Sequence, residues 1–266
     1  MKATVFLGGG RITGALLAGL RLSGYKRPLI VHDRNLDKLR VLRREFRVEL
    51  ASDLRSAVEQ AEMLIVAVRP SSVADLLDGV ARCGAGALPR VAVSLAAGIP
   101  LKKLRFQLGS PVRWARAMPS PVSRVGRGLT AVAFDGECSK ADRKRVREFF
   151  ERVGLALQIP ESRFDAFTAS YSSSHGYHAL ATLARAAQRA GLDRETALTA
   201  AAHALADGIL YWRESGLELS ELLHEAVTPG GIAAATVAAM DKSGYEKAVT
   251  RGLRAGMRQA RANARR

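Results

Sequence analysis

Residues 3–13, ATVFLGGGRIT, set a short apolar and β-branched run against three glycines, and a helix-like segment follows at once. A strand feeding a glycine turn that opens a helix lets the backbone approach a pyrophosphate, whose charge meets the helix's free N–H groups and positive end. Gly8 and Gly10 are expected beneath such a pyrophosphate, with Ile12 and Thr13 on the first helical turn. Thr13 stands where the G-x-G-x-x-G pattern has its third glycine, so the motif is a variant and weak by itself. Past a second strand-like run, Leu29-Ile30-Val31, stand Asp33, Arg34 and Asn35, where a dinucleotide's adenine ribose sits. A carboxylate there favours the 2′-hydroxyl of NAD, and an arginine accommodates the 2′-phosphate of NADP. With Asp33 and Arg34 adjacent, the signal is mixed, and the side chain facing the site decides. The reading assigns Arg34 and Asn35 to the cofactor and favours NADPH, with NADH as the alternative.

Those residues need a sheet to present them. Residues 63–68 form a continuous apolar run closed by Arg69-Pro70, as expected of a strand covered on both faces of a parallel sheet. Residues 90–94 form another, leading to Ala96-Ala97-Gly98. Ala67, Val68, Arg69 and Pro70, and then Ala96, Ala97 and Gly98, thus fall at strand ends, the edge where such sheets bind ligands. Their small side chains leave room for ribose and nicotinamide. Ile12, Leu16, Leu17, Leu20 and Leu22 make a helical stripe, and helical patterns recur around 36–46 and 52–61. Trp114 and residues 131–134 read as further strands. This alternation predicts a doubly wound, Rossmann-type α/β domain over 1–161. From 162 to 266 alanine dominates and strand-like alternation stops. Helices are expected over 163–190, 193–213, 218–227 and 231–264, broken at Gly191, Gly216 and Pro229-Gly230-Gly231. An all-α substrate and dimerisation domain is the expectation there.

The chain carries 41 Lys and Arg against 25 Asp and Glu, a formal charge of +16. The basic residues are spread along its length without interleaved aromatics. Only Arg251, Arg254, Arg258, Arg261, Arg265 and Arg266 cluster, and the helical spacing of the first four reads as the solvated face of a terminal helix. Nucleic acid is therefore not an expected partner, and a basic surface also steers a phosphorylated cofactor. No window reaches the roughly 18 apolar residues of a membrane span. The N-terminal apolar run is too short and glycine-broken for a signal peptide. Cys83 and Cys138 make neither a metal-ligand spacing nor a disulfide framework. A cytoplasmic, reduced setting is expected, with no membrane partner and no metal.

Taken in order, GGGRITGALLAG at the start, AVRP at 67–70, SLAAG at 94–98, RAMPS at 116–120, TASYSSSHGY at 168–177 and VTPGG at 227–231 resemble pyrroline-5-carboxylate reductase, the last enzyme of proline synthesis. The first four segments recur in many nicotinamide-dependent dehydrogenases; the last two are more specific. The resemblance spans essentially the whole chain. It implies a Rossmann domain binding NAD(P)H, an obligate helical homodimer with further assembly left open, and an active site at the dimer interface. The implied chemistry is hydride delivery to the carbon of a cyclic C=N bond. Thr228, Gly230 and Gly231, before a helix, suit the substrate's carboxylate. Ser172, Ser173 and Ser174 are expected at the substrate, with His175 as proton donor to the imine nitrogen and Thr228 as its catalytic companion.

The departures fall in the substrate half. The family's S-G-S-G-P-A-Y segment is Tyr171-Ser172-Ser173-Ser174-His175-Gly176-Tyr177, and its two threonines after the glycine pair are Ile232 and Ala233. Ser120-Pro121-Val122 replaces an Asn-Thr-Pro, and Leu54 an asparagine. A different cyclic imine, or an inactive NADP(H)-binding paralogue, is therefore an alternative. A 3-hydroxyacid dehydrogenase is disfavoured, because residues 163–240 contain no lysine to polarise a carbonyl.

Overall fold

A computed structural model describes residues 2–265. Eight strands make one sheet: β1 (Ala3–Leu7), β2 (Leu29–His32), β3 (Glu49–Leu50), β4 (Ala61–Val66), β5 (Val91–Ser94), β6 (Arg113–Met118), β7 (Gly128–Phe134) and β8 (Gly154–Gln158), in the order β3-β2-β1-β4-β5-β6-β7-β8. All neighbours are parallel except β6 and β7. The winding reverses between β1 and β4, which opens a crevice at their carboxyl ends.

Helices α1 (Arg11–Leu22), α2 (Leu36–Phe46), α3 (Leu54–Gln60), α4 (Val73–Ala81), α5 (Leu101–Gln107) and α6 (Lys140–Glu151) accompany the strands. Successive residues of a strand feed opposite faces. Accordingly Val5 and Leu7 join Leu64, Leu77 and Trp114 in one core, while Phe6 joins Leu16, Leu20, Phe149 and Phe150 in another. On α1 the close approach that requires glycine is to the 3-10 turn Pro121–Val125. At Gly19 a side chain would run into the carbonyl of Ser123.

The second half is helical: α7 (Phe164–Ser170), α8 (Ser173–Arg189), α9 (Arg194–Ser215), α10 (Leu219–Ala226), α11 (Ile232–Lys242) and α12 (Tyr245–Arg265). Two expected helices are each divided in the structure. The 163–190 span breaks at Tyr171-Ser172, where the Ser172 hydroxyl accepts the Ser174 N–H and starts α8 afresh. The 231–264 span breaks where Gly244 turns left-handed at φ +79°.

Packing divides the chain into two compact units, one from the start to Ser170 with Ala255 onward, the other Tyr171–Arg254. Thus α7 and the end of α12 pack with the sheet, although the sequence places the division at 161/162. The Tyr171–Arg254 unit has little core of its own. Among its described residues only Ala184, Ala197 and Ala201 are buried, while Leu198, Ile209, Leu210, Tyr211 and Trp212 of α9 are 45–57% exposed. No helix among the described residues is long and apolar enough to cross a membrane.

Candidate active site

The glycine turn sits at the carboxyl end of β1. Gly8 has φ +113°, and a Cβ there would lie 2.6 Å from the Ala67 carbonyl oxygen, so only glycine lets the ends of β1 and β4 meet. At Gly10 an added Cβ would meet nothing within 4 Å. Gly10 is also the N-cap of α1, and no side chain caps that helix. The first-turn N–H groups of Arg11 and Ile12, on residues that are at least partly exposed, are therefore left without a side-chain partner, an arrangement that fits a pyrophosphate. Thr13 itself is turned inward. Its side chain is fully buried, and its hydroxyl donates to the Gly8 carbonyl at 2.6 Å, locking the turn.

The acidic member of the pair after β2 has structural partners. Asp33 Oδ2 accepts the Gly9 N–H at 2.7 Å, and Oδ1 accepts the Asn35 N–H at 2.8 Å. The carboxylate thus belongs to the turn, and Arg34 stands exposed beside it. Asn35, also assigned to the cofactor from the sequence, caps α2 by accepting the Lys38 N–H at 3.1 Å.

Ala67, Val68, Arg69 and Pro70 follow β4, with Arg69 exposed and Pro70 opening a short 3-10 turn. Ala96, Ala97 and Gly98 follow β5. Gly98, at φ +79°, is pressed by the chain itself, since a side chain there would strike the carbonyl of Ala260 on α12. Space for α12, together with the left-handed φ, demands glycine at that position.

The residues expected at the substrate lie in the Tyr171–Arg254 unit, at two helix starts. Ser172, Ser173, Ser174 and His175 form the head of α8. The hydroxyls of Ser172 and Ser174 share a 2.7 Å hydrogen bond, and the His175 N–H donates to the Ser172 carbonyl. Thr228, Pro229, Gly230 and Gly231 precede α11. The Gly231 N–H donates to the Thr228 carbonyl at 2.9 Å and Gly230 has φ +77°, a type II turn with proline and glycine at its corners. The amide of Gly231 is therefore spent on the turn. The open donors are the first-turn amides from Ile232 onward, because no side chain caps α11. Among the described residues no group of three or more His, Cys, Asp or Glu is placed to hold a metal.

Comparison with known proteins agrees with this geometry in both halves. Residues 4–98 match the family model described as NADP oxidoreductase coenzyme F420-dependent, and residues 161–263 match pyrroline-5-carboxylate reductase dimerisation. The pyrroline-5-carboxylate reductase of Mycobacterium tuberculosis is 31% identical, across 96% of this chain and 94% of that protein. The chain belongs to the pyrroline-5-carboxylate reductase family. Bacillus subtilis pyrroline-5-carboxylate reductase 2 is 26% identical across 94% of this chain and 90% of its own. Among solved structures, the Coxiella burnetii reductase shares the fold at TM-score 0.87 and 22% identity, covering 99% of this chain and 98% of that one. The NADP-bound Plasmodium falciparum reductase does so at TM-score 0.86 and 19% identity, with the same coverage.

Within this family member, one residue of the RAMPS segment has a role that sequence reading left unassigned. Arg116 is buried on β6, where it pairs with Glu161 at 3.2 Å and Asp165 at 3.5 Å, and its guanidinium lies 4.3 Å from the centre of the Phe164 ring. Glu161 in turn accepts the Leu101 N–H at 2.6 Å and so holds the start of α5. An arginine among apolar strand residues is the one trace of this in the sequence.

Proposed function

We propose that the protein reduces a cyclic imine with NADPH, converting 1-pyrroline-5-carboxylate to L-proline. The observation that carries this reading is 31% identity to a pyrroline-5-carboxylate reductase over nearly its full length. It is supported by an uncapped helix start behind a glycine turn with open space at Gly10. A reduced nicotinamide at the carboxyl edge of the sheet supplies the hydride to the imine carbon.

The chain's own groups bind, orient and protonate. The amides of Arg11 and Ile12 take the pyrophosphate, and the exposed Arg34 takes the 2′-phosphate. Ala67–Pro70 and the Ala96-Ala97 pair border the ribose and nicotinamide. At the head of α11, the amides of Ile232 and Ala233 with the Thr228 hydroxyl hold the substrate's carboxylate. These amides do not depend on the threonine side chains that the sequence lacks. Ser172, Ser173 and Ser174 line the head of α8, where His175 donates the proton taken up by the imine nitrogen as hydride arrives.

The working form is a homodimer. A helical unit that leaves the Ile209, Tyr211 and Trp212 side chains uncovered needs a second copy to bury them. Both cysteines are free and buried, in keeping with a reducing cytoplasm.

The experiment is complementation of a bacterial strain whose own reductase has been deleted. Expression of this chain restores growth without added proline; persistent proline auxotrophy, with the protein present at normal level, contradicts the reading.

A further inference from the structure

The loop leaving β5, residues 95–100, is anchored by the buried side chains of Leu95, Ala96 and Ile99, but Ala97 and Gly98 between them have no polar side chain to fix the peptides they share. The rest of the same unit grips it from two sides. On one side lies the last stretch of α12. Gly98 abuts the Ala260 carbonyl, and Asn263 Nδ2 donates to the Ala97 carbonyl at 3.4 Å. Gln259 Nε2 donates to Asn263 Oδ1 at 3.2 Å, which orients that amide with its NH₂ toward the loop. Lys103 Nζ returns the contact by donating to the Ala264 carbonyl at 3.1 Å. On the other side, the loop's exit at Leu101 is held by Glu161, itself fixed by the buried Arg116.

We propose that Asn263 is a positioning residue for the nicotinamide half of the cofactor, with the end of α12 as the back wall that sets the Ala96–Gly98 loop at the sheet edge. The inference rests on the reading that this loop borders the nicotinamide. The carbonyl of Ala97 is the point of control. Held by Asn263 from behind, the peptide after Ala97 keeps one orientation, and the face it presents at the edge is defined before the cofactor arrives. Residues 166 positions apart in the sequence are thereby coupled, and the terminal helix becomes part of the cofactor site without touching the cofactor.

The test compares the full-length wild type with Asn263→Ala and Asn263→Gln. Dissociation constants are measured for NADPH and for 2′,5′-ADP, which carries only the adenosine half. The kcat, the KM of each substrate and the melting temperature accompany them. Loss of one hydrogen bond predicts that Asn263→Ala weakens NADPH roughly three- to tenfold in Kd and KM. Binding of 2′,5′-ADP and the KM for the imine stay at wild-type values, the melting temperature falls by no more than the few degrees that one hydrogen bond is worth, and Asn263→Gln, which keeps the donor, recovers most of the loss. Wild-type NADPH affinity in Asn263→Ala overturns the proposal. So does an equal fall in 2′,5′-ADP affinity, which marks general loosening of the unit. A wild-type protein that binds neither ligand overturns the cofactor reading itself, and this inference with it.

Discussion

The carboxylate of Asp33 accepts the backbone N–H of Gly9 at 2.7 Å, so the acidic residue after β2 braces the glycine turn. That leaves Arg34 as the group available to a 2′-phosphate. Arg34→Ala is expected to lower kcat/KM for NADPH roughly 10- to 100-fold, the worth of a charge-assisted bond, while NADH is little affected. Equal losses with the two cofactors reject the role of Arg34.

The Thr13 hydroxyl closes the same turn from inside. Thr13→Val preserves the shape but leaves the Gly8 carbonyl without its 2.6 Å donor in a buried place. A loss of about 1–2 kcal/mol in unfolding free energy is expected from denaturant melts. An unchanged midpoint shows that the turn holds without it.

Much of this site was legible in the sequence because it depends on backbone form. Glycines after β1 and small residues after β4 and β5 mark tight backbone passages, and their order gives the sheet edge. What stayed hidden depends on where side chains turn. Nothing in the sequence distinguishes an Asp33 facing a ribose from one facing Gly9, or shows that Gly231 spends its amide on Thr228. Nor does the glycine at position 98 reveal in the sequence that Ala260 of α12 comes against it. Of the strands, β3 is two residues long, and β8, GLALQ, has no β-branched residue and exposes Leu155 and Leu157, so neither gives an alternating signal. The breaks at Tyr171-Ser172 and Gly244 carry ordinary signals, a serine N-cap and a left-handed glycine, between long segments of helical pattern that mask them.

Asp142 offers a pH test of the scaffold. Burial pushes its carboxyl up, but hydrogen bonds from the Ser139 hydroxyl and the Arg113 guanidinium outweigh this and hold it below its usual 3.8. Its folded-state pKa is below the unfolded value, so its contribution is complete at neutral pH and is lost as pH falls below about 4. Asp142→Asn is expected to lower the melting temperature at pH 7, with the gap from wild type narrowing below about pH 3. A gap independent of pH contradicts the assignment.

Dimer formation can be broken at α9. Ile209 is 57% exposed in a single chain, and Ile209→Asp places a charge on a face expected to be covered by a second copy. Light scattering is expected to find the wild type dimeric or larger and the variant monomeric, with activity lost. A monomeric, active wild type overturns this part of the account.

The central claim is tested most directly by purified protein mixed with NADPH and 1-pyrroline-5-carboxylate, following cofactor absorbance and product together. The expected result is NADPH loss that requires the imine and matches L-proline formed mole for mole. The rate falls in His175→Ala, with little change in NADPH affinity. No imine-dependent oxidation of either NADPH or NADH, under conditions where NADPH binds, contradicts the account.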